Sequence, residues 1–164
     1  MTEQAQPAGF DAAAQHPVFQ IVKLYVRDLS LEVPNAPQVF MQEQSPQLEI
    51  QLRNEAMPLN DDLFDVSVTA TVTAKTGEKT IFLAEVAQCG VFQVTGFPQE
   101  ELERVLQIAC PTVLYPYARE AIADLVGRGG FPSVMLQPVS FEQMYLQRHA
   151  EAEAAGQSRI EIPQ

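Results

Sequence analysis

The run TIFLAEVAQCGVFQV, from Thr80 to Val94, constrains the fold more than any other part of the chain. Ile81, Leu83, Ala87, Cys89 and Val91 occupy one parity, and Phe82, Ala84, Val86, Phe92 and Val94 the other. Side chains alternate between the two faces of a strand, so this run is apolar on both and calls for cover on both. Gly90 is expected to mark a bulge within it. Three other runs alternate more simply. FQIVKLYVRDLSLEV, from Phe19 to Val33, carries Val22, Leu24 and Val26 in one phase and Leu29, Leu31 and Val33 in the other. The phase flips at Arg27-Asp28, which predicts a long, bent strand with a bulge there and places Asp28, Ser30 and Glu32 on one face. Gln47–Arg53 and Phe64–Ala74 read as half-buried strands, and KTGEK (Lys75–Lys79) supplies the turn of a hairpin leading into the two-sided run.

Helical spacing begins after Pro98. Leu102, Val105, Leu106, Ala109 and Cys110 form an apolar stripe that Val113, Leu114, Ile122 and Leu125 prolong. Pro111 and Pro116 each remove a backbone donor, so kinks are expected at both within one long helix. Gly127, Gly129, Gly130 and the Phe-Pro that follows end it. A second helix starts at Ser140, with Gln143 completing a capping box and Phe141, Met144 and Tyr145 making a short apolar face. The expected class is α+β: a four-stranded antiparallel sheet with one long kinked helix and one shorter C-terminal helix on one face. No third layer remains in the chain to cover the other sheet face. A second copy is expected there, with Ala84, Val86 and Gln88 on the less bulky parity as oligomer contacts. Residues 1–15 read as a disordered N-terminal segment, 16–150 as the folded domain and 151–164 as a mobile acidic tail.

Twenty-one acids against ten bases give a net charge of −11, a field that repels phosphates and attracts basic polypeptides, so nucleic acid is not an expected partner. The first residues lack the pattern of a secretory signal and no run is long enough to span a bilayer, which points to the cytoplasm. Cys89 and Cys110 are expected to be buried as small hydrophobes. No nucleophile stands beside a histidine, and His16 and His149 both fall in expected mobile ends, so no catalytic site, metal or cofactor is expected. GRGG (Gly127–Gly130) follows a helix where a phosphate loop would precede one, and Asp61-Asp62 marks a solvated turn. Apolar residues sit instead in places expected to be exposed. Val39, Phe40 and Met41 lie in the loop after PNAP, and Phe141, Met144 and Tyr145 on the short helix. They suit an adaptable contact surface, or bury against each other.

CPTVLYPYARE with GRGGFP after it, PNAPQVF and TGEKTIFLAEV make the chain resemble the SecB protein-export chaperone family from about Phe19 to Arg148. The resemblance implies a tetramer, a dimer of dimers, that holds unfolded precursor proteins and delivers them to the SecA motor ATPase. It also implies SecA docking at Asp28, Glu32, Leu83 and Glu85, with any zinc belonging to the partner. Client binding would fall between the loop after the first strand and the second helix, at Val39, Phe40, Met41, Phe141, Met144 and Tyr145. The chain departs from the family in having no tryptophan: Gln44 stands where many members place one in that loop, and His149 stands where an apolar residue is usual. A SecB-like chaperone dedicated to one client, such as an antitoxin, and an enzyme with a closed polar pocket are the alternative readings.

Overall fold

A computed structural model describes residues 16–43 and 45–157. Strands β1 (Val18–Glu32), β2 (Gln47–Pro58), β3 (Leu63–Thr76) and β4 (Lys79–Thr95) form one antiparallel sheet in the order β1-β4-β3-β2. Helix α1 (Gln99–Arg104) runs through a π turn (Val105–Ala109) into α2 (Cys110–Arg128), and an irregular connection leads to α3 (Phe141–Gln157). β2 and β3 are joined by a short loop in which the Asn60 side-chain oxygen accepts from the N–H groups of Asp62 and Leu63, at 2.9 and 2.8 Å. The β3–β4 turn has Gly77 at φ 58°, in the left-handed region that glycine enters freely.

The change of phase in β1 is a register shift between Val26 and Asp28, as the sequence predicts, and a second shift lies between Ile21 and Lys23. Beyond the first of these, Asp28, Ser30 and Glu32 pair with Ala87, Glu85 and Leu83 of β4. Leu29 and Leu31 pair with Val86 and Ala84 on the opposite face.

The long helix covers that opposite face. Val66, Val68, Ala70 and Val72 of β3 and Ala84, Val86, Phe92 and Val94 of β4 share one core with Leu114, Ala118, Ile122 and Val126 of α2. Ala84 and Val86 are therefore fully buried within the chain, and Gln88 is 4% exposed with its Nε2 donating to the Tyr25 carbonyl at 3.2 Å. None of the three offers surface to a second copy, which corrects the expected oligomer contacts. The physical reason is that these three residues share the helix-facing parity. On the other face, Ala87 and Cys89 are buried without any third layer, because β4 is central and the larger side chains of the flanking strands shade its small ones. Cys89 lies between Tyr25 and Ser67, and Ala87 between Asp28 and Thr69.

Gly90 causes no bulge: it pairs in regular register with Leu24 and Val66. A Cβ there would stand 2.7 Å from Phe92 Cε2 and 3.1 Å from both Leu114 Cδ2 and Leu24 Cδ2, so the missing side chain lets α2 approach the sheet. The irregularity of the long helix sits one turn before Pro111, in the π turn, and Pro116 lies inside regular α2. A wide turn relieves the crowding a proline ring imposes on the preceding carbonyls. The Thr112 hydroxyl donates to the Ile108 carbonyl at 2.6 Å beside it. Buried in the core, the Cys110 thiol has its pKa pushed up to about 12, as expected of a cysteine serving as a small hydrophobe.

α3 also extends past its expected end. Its 17 residues run to Gln157, so Glu151–Gln157 are helical where the sequence suggested a tail. Glutamate and alanine are strong helix formers and hold a solvated helix without an apolar stripe. The N-terminal segment 1–15 and residues 158–164 lie outside the described residues. α3 rests on the long helix rather than on the sheet: Phe141 is 2% exposed and meets the Tyr115 ring edge-on at 5.8 Å. The Ser140 Oγ accepts the Gln143 N–H at 3.2 Å, as the capping pattern predicts. The Tyr115 hydroxyl donates to the Gln137 carbonyl and ties down the connection between the helices.

Candidate functional site

Two surfaces stand out, one on each side of the sheet. On the helix side, an open apolar groove of about 540 Å³ lies between edge strand β2 and the chain that follows α2. Its walls are Pro46, Leu48 and Ile50 on one side, Ile81 and Phe82 at the floor, and Phe131–Val134 with Met135 and Gln137 on the other. Leu48 and Ile50 pair with Ala74 and Val72, so they belong to the core-facing parity, yet they are 45% and 50% exposed because the long helix does not reach over β2 there. Met135 is 60% exposed.

The loop after β1 reaches this groove through aromatic contacts. Its peptide Ala36–Pro37 is cis, and the Asn35 side-chain amide donates to the Thr80 carbonyl at 2.8 Å, anchoring the loop to β4. A 3-10 turn, Gln38–Met41, then divides the three apolar residues. Val39 is buried at 1% exposure and supports the loop from inside, whereas Phe40 and Met41 are exposed. The Phe40 ring lies 5.2 Å from Phe131, which lies 4.8 Å from Phe82, so a line of rings joins the loop to the groove floor. Gln44 lies outside the described residues.

α3 does not wall this groove. Phe141 is a core residue, and Met144 and Tyr145 are half-buried away from the groove. Tyr145 lies with its ring 5.8 Å from the Arg104 guanidinium and 4.3 Å from His149. Arg104 also pairs with Glu142 at 2.9 Å and His149 with Glu103 at 3.3 Å, so His149 sits in a helix–helix contact and not in a mobile end. Sequence reasoning missed the real second wall, Phe131–Gln137, by reading its Gly-Gly-Phe-Pro only as a stop. Its signal was the apolar content of a connector: Phe131, Val134, Met135 and Leu136.

On the sheet face away from the helices, the registers build a grid. One row runs Glu32, Leu83, Thr73, Glu49; the next Ser30, Glu85, Thr71, Gln51; the third Asp28, Ala87, Thr69, Arg53. Asp28, Glu32, Leu83 and Glu85 thus form one compact patch on adjacent strands, with the two β1 acids exposed and Leu83 and Glu85 half-buried. The Glu85 carboxylate accepts from the Thr71 hydroxyl at 2.7 Å. Farther along this face the Tyr25 hydroxyl donates to Asp65 Oδ1 at 2.8 Å, and Arg27 stands 3.7 Å from Asp65 Oδ2. That hydrogen bond, with burial, pushes the Tyr25 hydroxyl well above its usual range.

Among the described residues, no cluster of three or more His, Cys, Asp or Glu side chains is set to hold a metal, and no helix is long and apolar enough to cross a membrane.

Comparison with known proteins identifies the family. The family model described as preprotein translocase subunit SecB matches residues 12–152. A protein-export protein SecB from Chromobacterium violaceum is 51% identical over 140 residues, covering 85% of this chain and 93% of that protein. One from Dechloromonas aromatica is 52% identical over 141 residues, covering 86% and 93%. Among solved structures, the Mycobacterium tuberculosis Rv1957 SecB-like chaperone, in complex with a ChAD peptide from the HigA1 antitoxin, shares the fold. Its TM-score is 0.56 at 24% identity, over 74% of this chain and 90% of that one. On the family match and these identities, the chain belongs to the SecB family.

Proposed function

We propose that the chain is an export chaperone of the cytoplasm, which holds precursor proteins unfolded and delivers them to the SecA ATPase without catalysing a reaction. The observation that carries this reading is the groove. It is apolar and open, and Leu48, Ile50 and Met135 on its walls stay half-exposed above the buried floor of Ile81 and Phe82, as a site for many unfolded sequences requires. Leu48, Ile50, Phe131 and Met135 form the client surface over the floor residue Phe82, with Phe40 and Met41 at its rim. Val39 and Phe141 act from behind, fixing the loop and α3. On the opposite face, Leu83 lies beside Glu32, with Glu85 one row and Asp28 two rows along, an apolar contact at the end of an acidic stripe that suits a basic segment of the motor protein.

The working particle is a tetramer. Supporting this, Phe19, Ile21, Val26 and Leu29 form an apolar strip on the helix-facing side of edge strand β1, 40%, 42%, 47% and 53% exposed, beyond the reach of the long helix. A second copy covering this strip takes over the interface role first given to Ala84, Val86 and Gln88. A tetramer of this chain carries a formal charge of −44, four times −11, which attracts basic unfolded segments. The test is native mass measurement of the purified protein, alone and with an unfolded precursor. A tetramer that gains the mass of the precursor supports the reading, and a lone subunit that ignores denatured chains overturns it.

A further inference from the structure

Glu85 stands in the centre of the outer face with a hydroxyl residue on each side, Ser30 on β1 and Thr71 on β3. Of the two, Thr71 holds it, with Oγ1 donating to Glu85 Oε2 at 2.7 Å. A free glutamate distributes its carboxylate over many rotamers, and a bond of this length to a charged oxygen selects one. Thr71 and Glu85 also line a polar concavity of about 220 Å³ with Gln51, Leu52, Arg53 and Thr69. Arg53 is therefore the cation-bearing wall of the same hollow, and it already faces Glu55 at 3.5 Å. A released Glu85 carboxylate has this guanidinium within the same hollow to turn towards, which would neutralise the charge that a basic partner reads.

We infer that Thr71 is a positioning residue of the docking face: its hydroxyl presents the Glu85 carboxylate to a basic segment of SecA and keeps it from Arg53. The inference rests on the proposed docking role of Glu85. It extends the site from β1 and β4 onto β3, so the acidic patch works as a preorganised surface and not as a loose set of charges. Threonine suits the place because its branched Cβ favours the strand while its hydroxyl reaches the cross-strand neighbour. Releasing one rotamer-rich side chain before binding corresponds to a loss of roughly two- to tenfold in affinity.

The experiment measures binding of the full-length chain to full-length SecA at low salt for Thr71→Val, Thr71→Ser, Glu85→Gln and the Thr71→Val/Glu85→Gln pair. Thr71→Val keeps the shape and removes the donor; Thr71→Ser keeps the donor. The expected result is about two- to tenfold weaker binding for Thr71→Val, restoration by Thr71→Ser, and no further loss from Thr71→Val once Glu85 is glutamine. If Glu85→Gln weakens binding and Thr71→Val does not, the inference fails while the docking reading stands. An undiminished Thr71→Val loss in the Glu85→Gln background also overturns the inference, since the threonine then acts elsewhere. Unchanged binding by Glu85→Gln itself refutes the docking role of Glu85, and the inference with it.

Discussion

Replacing Leu48 and Ile50 together by serine tests the groove most directly. In the free chain these side chains are 45% and 50% exposed, so about half of each remains to be buried by a client. Complete burial of a leucine or isoleucine is worth roughly 1.5–3 kcal/mol, which leaves about 0.7–1.5 kcal/mol for each exposed half. The pair then contributes about 1.5–3 kcal/mol, or roughly 10- to 150-fold in dissociation constant. The assay is fluorescence anisotropy of a labelled, permanently unfolded precursor, read well below the melting temperature because the buried halves also support the fold. Met57→Ser is the control: Met57 is similarly exposed at 56%, lies on the same strand and pairs with Asp65 on the outer face. Binding within twofold of the parent for the double variant, with particle mass unchanged, refutes the argument. So does an equal loss from Met57→Ser, which would show that any apolar surface serves.

Three further outcomes follow from the structure. Asp28→Lys with Glu85→Lys should weaken SecA binding by roughly tenfold or more at low salt, with the gap narrowing above about 0.15 M, where charges beyond about 8 Å are screened; a salt-independent affinity of the parent chain refutes an electrostatic contact. Gly90→Ala drives a Cβ to 2.7 Å from Phe92 and should destabilise the fold by about 1–3 kcal/mol, lowering Tm by roughly 2–4 °C per kcal/mol. By contrast Gly156→Ala meets nothing within 4 Å on helix α3 and should leave Tm unchanged or raised, and calorimetry of both variants checks the pair. The Tyr25 hydroxyl is held above its ordinary value by its bond to Asp65, so the folded chain keeps that proton when the unfolded chain releases it. Its contribution is complete below about pH 10 and is lost as the pH rises beyond, and the alkaline fall in Tm should be shallower for Tyr25→Phe than for the parent.

The sequence made the strands legible because period two is a local signal. The change of phase at Arg27-Asp28 located a bulge to the residue, and the outward placing of Asp28 and Glu32 followed from it. The companion shift between Ile21 and Lys23 left no such mark, since Ile21 and Val22 are both apolar and the phase is ambiguous there. The two-sided apolar pattern of β4 does mean burial on both faces, but α2, not a second copy, covers Ala84 and Val86. Which parity meets the helix depends on strand order, a long-range property that alternation within one strand does not carry. For the groove, the loop after β1 was visible as misplaced apolar content, but the opposite wall depends on where α2 releases the chain. Pairing of Phe131 with Phe40 is set by the tertiary path, and helical spacing in α3 could not reveal that Phe141 turns into the core.

Ile50 and Gln51 are neighbours in the chain, yet the first lines the groove and the second the hollow beside Glu85. Under the proposed assignment, cargo and motor are served by the two sides of a single ribbon of backbone, with the thickness of one strand between them. Neither occupant would then have to leave for the other to arrive, so a loaded carrier could be recognised while still loaded, and transfer would become a matter of relative grip instead of vacancy.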